Sequence, residues 1–226
     1  ALYQSNPPQR SQRTSAWHDP SPLIPTENCY NTLYMSVRGI IFDLYGVLGL
    51  NGWQEFKQLH FGDDWNRWEP LRRLGQRVDA GEASDDEFVT AIAHATGESD
   101  ESVRYQFEHT QPNFELLDFI RQELKPRYKI GLLSNSSRDV LPGIFSEEQR
   151  ALFDASVMSV SVGLTKPNPM MFYLICDELS LAPEQCVMID DQARHLAPAQ
   201  AVGMKTLLYT STEEIISSLK SIFKND

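Results

Sequence analysis

Residues 37–48 read Val-Arg-Gly-Ile-Ile-Phe-Asp-Leu-Tyr-Gly-Val-Leu, an apolar run with almost no polar alternation that is broken by a carboxylate at Asp43. A strand with one face in water alternates apolar and polar residues, so a run without alternation describes a strand buried on both faces, as in the middle of a parallel sheet. Gly46 supplies the turn that follows it. Similar short runs recur at residues 129–134, 155–160, 186–190 and 204–209, with helical stretches between them. This alternation predicts an α/β fold with a doubly wound parallel sheet of Rossmann-like form.

Helix-start signals agree with that layout. Ser146 followed by Gln149, and Ser211 followed by Glu214, have the spacing of capping boxes, in which side chains satisfy otherwise orphaned main-chain N–H groups. Between residues 52 and 112 strand signals vanish, and helical periodicity takes over at 53–59, 65–78, 84–95 and 99–108, with Ser84 and Glu87 capping the third stretch. The expected organisation is a core built from 35–52 and 113–226, interrupted after its first strand by an all-helical cap at 53–112. Such an insertion would lie over the C-terminal strand ends, where this architecture binds ligands. Trp53, Phe56, Phe61, Trp65 and Trp68 crowd its first half and are expected to form the cap's own core, with pocket lining as the alternative. Residues 1–34 gather Pro7, Pro8, Pro20, Pro22 and Pro25 among Ser, Gln and Asn, a composition expected to leave them as a disordered extension.

A formal net charge of -11 repels a phosphate backbone and argues against nucleic acid as a partner. No run approaches the roughly 20 apolar residues needed to cross a bilayer, which argues against a membrane partner. The three cysteines, Cys29, Cys176 and Cys186, have neither metal-ligand spacing nor an even disulfide framework, and a reducing, cytoplasmic setting is expected. A small molecule is the expected partner. Oligomeric state is not readable.

Four of these runs or their neighbouring loops carry polar punctuation: Asp43, then Ser134-Asn135, Lys166-Pro167 and Asp190-Asp191. Carboxylates at buried strand ends need a compensating cation, lysine or hydrogen-bond donor. In order and spacing these four motifs resemble those of the haloacid dehalogenase-like hydrolase superfamily over residues 37–222. The pattern is similar to that of small-capped sugar-phosphate phosphatases and of the phosphatase domain of soluble epoxide hydrolases. The resemblance implies a nucleophilic Asp43 that forms an aspartyl-phosphate. It implies that Ser134 and Asn135 hold phosphate oxygens, and that Lys166 offsets the charge of Asp43 and of the phosphoryl group. It also implies Mg²⁺ as cofactor, held by Asp43, the main-chain carbonyl of Tyr45 and Asp191, with Asp190 in support. His195, where relatives often carry Asn or Asp, is expected to be an incidental residue on a helix surface.

Tyr45 departs from the pattern. Family phosphatases usually place a second aspartate there, which protonates the leaving oxygen and later activates water. A carbonyl contact to metal survives the substitution, but the side-chain acid/base role does not, because a phenol with a pKa of about 10 is a poor base at neutral pH. The sequence Asp-x-Tyr-Gly is also typical of 2-haloacid dehalogenases, which use the same aspartate without metal. Three readings therefore stand at the level of sequence: a Mg²⁺-dependent phosphatase of small phosphomonoesters, such as sugar phosphates; a dehalogenase; and a catalytically silent binding protein. Asp190-Asp191 favours the first, since dehalogenases generally carry neutral residues there. In the cap, Asp63, Asp64, Arg67 and Arg72 are all possible substrate contacts.

Overall fold

A computed structural model describes residues 36–223, so the proline-rich stretch 1–34 and Cys29 lie outside the described residues. From the first strand, β1 (Gly39–Phe42), the chain passes through the short β2 (Gly49–Leu50) into four helices, α1 (Trp53–Phe61), α2 (Trp65–Asp79), α3 (Asp85–Thr96) and α4 (Asp100–Glu108). It returns through β3 (Gln111–Pro112) to α5 (Phe114–Phe119), which runs on as a π-helical turn over Ile120–Leu124, and then to β4 (Lys129–Ser134). Short helical turns α6 (Leu141–Ile144) and α7 (Glu147–Arg150) precede β5 (Ala155–Met158), and α8 (Ser159–Val162) follows it. The remainder alternates α9 (Pro169–Glu178), β6 (Cys186–Asp190), α10 (Ala193–Ala201), β7 (Lys205–Leu208) and α11 (Thr212–Phe223).

Five strands form one parallel sheet in the order β5-β4-β1-β6-β7. β1 is central and wholly buried. The lack of alternation in its sequence is explained by its two faces. Ile40 and Phe42 join Ile130 and Leu132 of β4 and Val187 and Ile189 of β6 in an apolar layer closed by α5 and α11. Ile41, Leu133 and Met188 point the other way, into a layer closed by α9 and α10. Cys176 and Cys186 are buried in that second layer as free thiols. The chain therefore has the doubly wound α/β architecture that its sequence predicts.

The four helices α1 to α4 bury a third cluster, in which Phe56, Phe61, Leu71, Val89, Ile92 and Val103 meet. The antiparallel pair β2–β3 brings the two connecting segments together, Gly49 opposite Pro112. At the start of α3 the Ser84–Glu87 capping box forms in full, as does that of Ser146 and Gln149 before α7. The Ser211 box forms only in part. Glu214 N donates to Ser211 Oγ at 3.2 Å, but the Glu214 carboxylate accepts from Thr210 Oγ1. The strand expected over 155–160 stops at Met158, where the backbone turns into α8. Among the described residues no helix is long and apolar enough to cross a membrane.

Candidate active site

Because every strand of the large sheet runs the same way, the chain leaves all of them at one edge, and the polar punctuation collects there. Asp43 follows β1, and Asp190 ends β6 beside it. Ser134 ends β4 on the other side. Lys166 arrives on the loop between α8 and α9. This loop is fixed by Asn135, whose Oδ1 accepts from Lys166 N at 2.7 Å and whose Nδ2 donates to Lys166 O at 3.0 Å.

The ammonium of Lys166, only 2% exposed, lies 2.8 Å from Asp43 Oδ1 and 2.7 Å from Asp190 Oδ2. Burial works against its charge, but the two carboxylates outweigh burial and raise its pKa. Asp190 is fully buried. Burial opposes its ionisation, yet Lys166 and His195 hold it well below the usual carboxylate range. Asp43 moves the other way. Burial first, and then the neighbouring Asp190, push its pKa well up, with Lys166 opposing them.

His195 corrects the expectation of a helix-surface residue. It is 2% exposed, with Nδ1 at 3.0 Å and 3.1 Å from the two oxygens of Asp190. Burial lowers its pKa, so the ring is neutral at pH 7, and contact with an ionised carboxylate places the proton on Nδ1. His195 lies in the first turn of α10, five residues after Asp190 at the end of β6, which is how a histidine on that helix reaches back to the strand end.

Asp191 differs from its neighbour. Its Oδ2 accepts from Gln54 Nε2 of α1 at 3.1 Å, while Oδ1 is buried without a partner. Burial and the adjacent Asp190 raise its pKa to about 6. Gly46, at φ +82°, lets this carboxylate approach the turn after Tyr45: a Cβ there would stand 2.7 Å from Asp191 Oδ2.

Asp43, Asp190 and His195 offer ligand atoms within 4.8 Å of one another. That cluster already contains its own cation, because Lys166 touches both carboxylates and His195 donates to Asp190. The donors left for a hard divalent ion are Asp43, the Tyr45 carbonyl, which accepts no hydrogen bond among the described residues, and the orphaned oxygen of Asp191. An all-oxygen set of two carboxylates and a carbonyl suits Mg²⁺, which keeps several waters and takes few protein ligands.

A cavity of about 810 Å³ opens between this edge and the helices α1 to α4. Asp43, Tyr45, Asn135, Lys166 and Asp191 line its core side, whereas Ser134 is fully buried, with its hydroxyl donating to the Asn135 carbonyl at 3.3 Å. Ser136, Ser137, Arg138 and Arg194 also reach the wall and were not singled out in the sequence. The run Asn-Ser-Ser-Arg directly after β4 is the signal that could have found the first three. On the helical side, Phe56 and Phe61 are buried in the cluster of α1 to α4 as expected, Trp53 and Trp68 pack against that cluster and also line the cavity, and Trp65 lines the cavity without joining the cluster. Arg72 lines it too. Asp64 instead caps α2, and Arg67 bonds the carbonyls of His60 and Ala95.

Residues 37–203 match the family model of haloacid dehalogenase-like hydrolases. The chain belongs to this family. It is a hydrolase by that membership, and its relatives include phosphatases. It is 26% identical over 216 residues to bifunctional epoxide hydrolase 2 of Sus scrofa, a match covering 83% of this chain and 39% of the relative, so the chain spans well under half of that protein. A D-ribitol-5-phosphate phosphatase of Bacteroides thetaiotaomicron is 25% identical over 188 residues, 75% of this chain and 90% of the relative. Among solved structures, a haloacid dehalogenase family enzyme of the same bacterium, in complex with magnesium and inorganic phosphate, superposes with a TM-score of 0.57 at 21% identity over 78% of this chain and 96% of that one. A dehalogenase does so with a TM-score of 0.59 at 16% identity, over 79% and 87%. Likeness at these identities establishes the fold.

Proposed function

We propose that the chain is a Mg²⁺-dependent phosphatase of small phosphomonoesters that works through an aspartyl-phosphate on Asp43. The observation that carries this reading is the buried, unpartnered Oδ1 of Asp191 beside the Gly46 turn, since a carboxylate in that position calls for a hard cation. Relatives that are named phosphatases support it.

In this reading an Asp43 oxygen attacks phosphorus, forming a new O–P bond as the ester O–P bond breaks, and water then cleaves the acyl phosphate to regenerate the carboxylate. Lys166 neutralises charge on Asp43 and on the non-bridging oxygens. Asn135 borders the phosphate and its side-chain amide sets the position of the lysine, whereas the Ser134 hydroxyl is buried behind it and supports the Asn135 main chain. Asp190 and His195 hold the ammonium in place from behind. Held by Asp43, Asp191 and the Tyr45 carbonyl, Mg²⁺ would lower the pKa cost of ionising Asp43 and neutralise charge on the phosphoryl group.

A second reading rests on Tyr45, whose phenol stands where dehalogenases carry one: displacement of halide by Asp43 without metal. One assay separates the two. The phosphatase reading expects phosphate release from a panel of phosphomonoesters that stops with a chelator and returns with Mg²⁺. Halide release from 2-chloropropionate that survives the chelator, with no phosphate release, would overturn it.

A further inference from the structure

In-line transfer to Asp43 expels the ester oxygen on the side away from the nucleophile, into a cavity that the helices α1 to α4 also line. A family phosphatase would meet it with an aspartate at position 45. Here burial raises the Tyr45 phenol above its ordinary value, with Ser136 and Arg138 opposing. The task needs another group.

Among the described residues, three carboxylates besides Asp43 and Asp191 line the cavity: Asp79, Asp85 and Glu108. Asp85 and Glu108 are exposed, and Asp85 already accepts from Ser137 Oγ at 3.0 Å. Asp79 is half-buried, and among the described residues its carboxylate makes no hydrogen bond or ion pair. It is the last residue of α2, where the negative end of the helix dipole disfavours a carboxylate, so its placement is not explained by helix stability. The charges that face it are those of Arg194 on α10, Lys166 from the core loop and Asp85 on α3. Its main chain is held in place. The Ser159 hydroxyl lies 3.2 Å from Asp79 O and 2.9 Å from Ser136 O, and accepts from Ser136 N at 2.8 Å.

We propose that Asp79 of the helical segment supplies the general acid and base that position 45 lacks, an assignment that rests on the phosphatase reading. As the ester O–P bond breaks, the departing oxygen takes the proton of Asp79 and leaves as the alcohol. The resulting carboxylate then accepts a proton from the water that attacks the aspartyl-phosphate, so Asp79 ends the cycle protonated again. Burial pushes its pKa up to about 6, which gives both forms access near neutral pH.

The test compares wild type with Asp79→Asn on an alkyl phosphomonoester and on p-nitrophenyl phosphate, whose leaving group needs no proton. Asp79→Asn is expected to cut alkyl-ester turnover by about 10²- to 10⁴-fold. The pre-steady-state burst of p-nitrophenolate should stay near the wild-type rate while the steady state slows. Adding Tyr45→Asp to Asp79→Asn should restore alkyl-ester turnover, which a purely structural role for Asp79 would not allow. Unchanged alkyl-ester turnover, or equal losses in alkyl-ester turnover and in the burst, would overturn this assignment alone. A wild-type enzyme inactive on both esters would overturn the phosphatase reading and this assignment with it.

Discussion

Lys166 joins two carboxylates that could not otherwise stand side by side in the core. Replacing it with Met leaves Asp43 and Asp190 buried without the ammonium between them, and breaking a buried pair in this way costs about 3–5 kcal/mol. Lys166→Met should therefore lower the urea midpoint markedly as well as abolish turnover, and an unchanged midpoint would show that the pair is not held as described. At this scale the sequence was legible where a residue sits at the end of an apolar run, as Asp43 and Asp190 do. It was not legible where position depends on a distant partner. His195 looked like one more polar residue on a helix, and its burial follows from the geometry that turns α10 back over the end of β6. Asp79 did carry a local sign, a carboxylate at the wrong end of a helix, but the cavity it faces is formed by elements far away in the chain.

Among the elements, α3 shows how much local sequence can decide. Ser84 accepts from Glu87 N at 3.2 Å, and Glu87 Oε2 accepts from Ser84 N at 2.8 Å, so two helix-end donors are satisfied by residues three apart. Ser84→Ala should destabilise the protein by about 1 kcal/mol in denaturant titration, with catalysis on p-nitrophenyl phosphate retained. β1, β4 and β6 were readable because burial on both faces removes alternation, and their observed limits at 129–134 and 186–190 agree with the apolar runs. The pair β2–β3 was not readable. Each strand has two residues, too few for any period, and they meet across the whole helical insertion. The π-helical turn after α5 has no sequence signature that we can identify.

For the molecule as a whole, the layout sets a core that holds the charged machinery against a helical layer whose tryptophans and arginine shape the rest of the cavity. In the proposed reading a cation held by Asp43 and Asp191 would bind the folded chain only, so Mg²⁺ at 100 times its Kd should stabilise the protein by about 2.7 kcal/mol. Asp191→Asn, which removes charge while keeping shape, should abolish most of that Mg²⁺-dependent rise in melting temperature. A rise of equal size in the variant would place the ion elsewhere.

The proposed function makes Asp43 the nucleophile that accepts the phosphoryl group. Mass spectrometry of enzyme acid-quenched during turnover of a phosphomonoester in Mg²⁺ should find one added phosphoryl group on the peptide that carries Asp43, and none in Asp43→Asn. Sustained phosphate release with no such adduct, or with the adduct on another residue, would contradict the account.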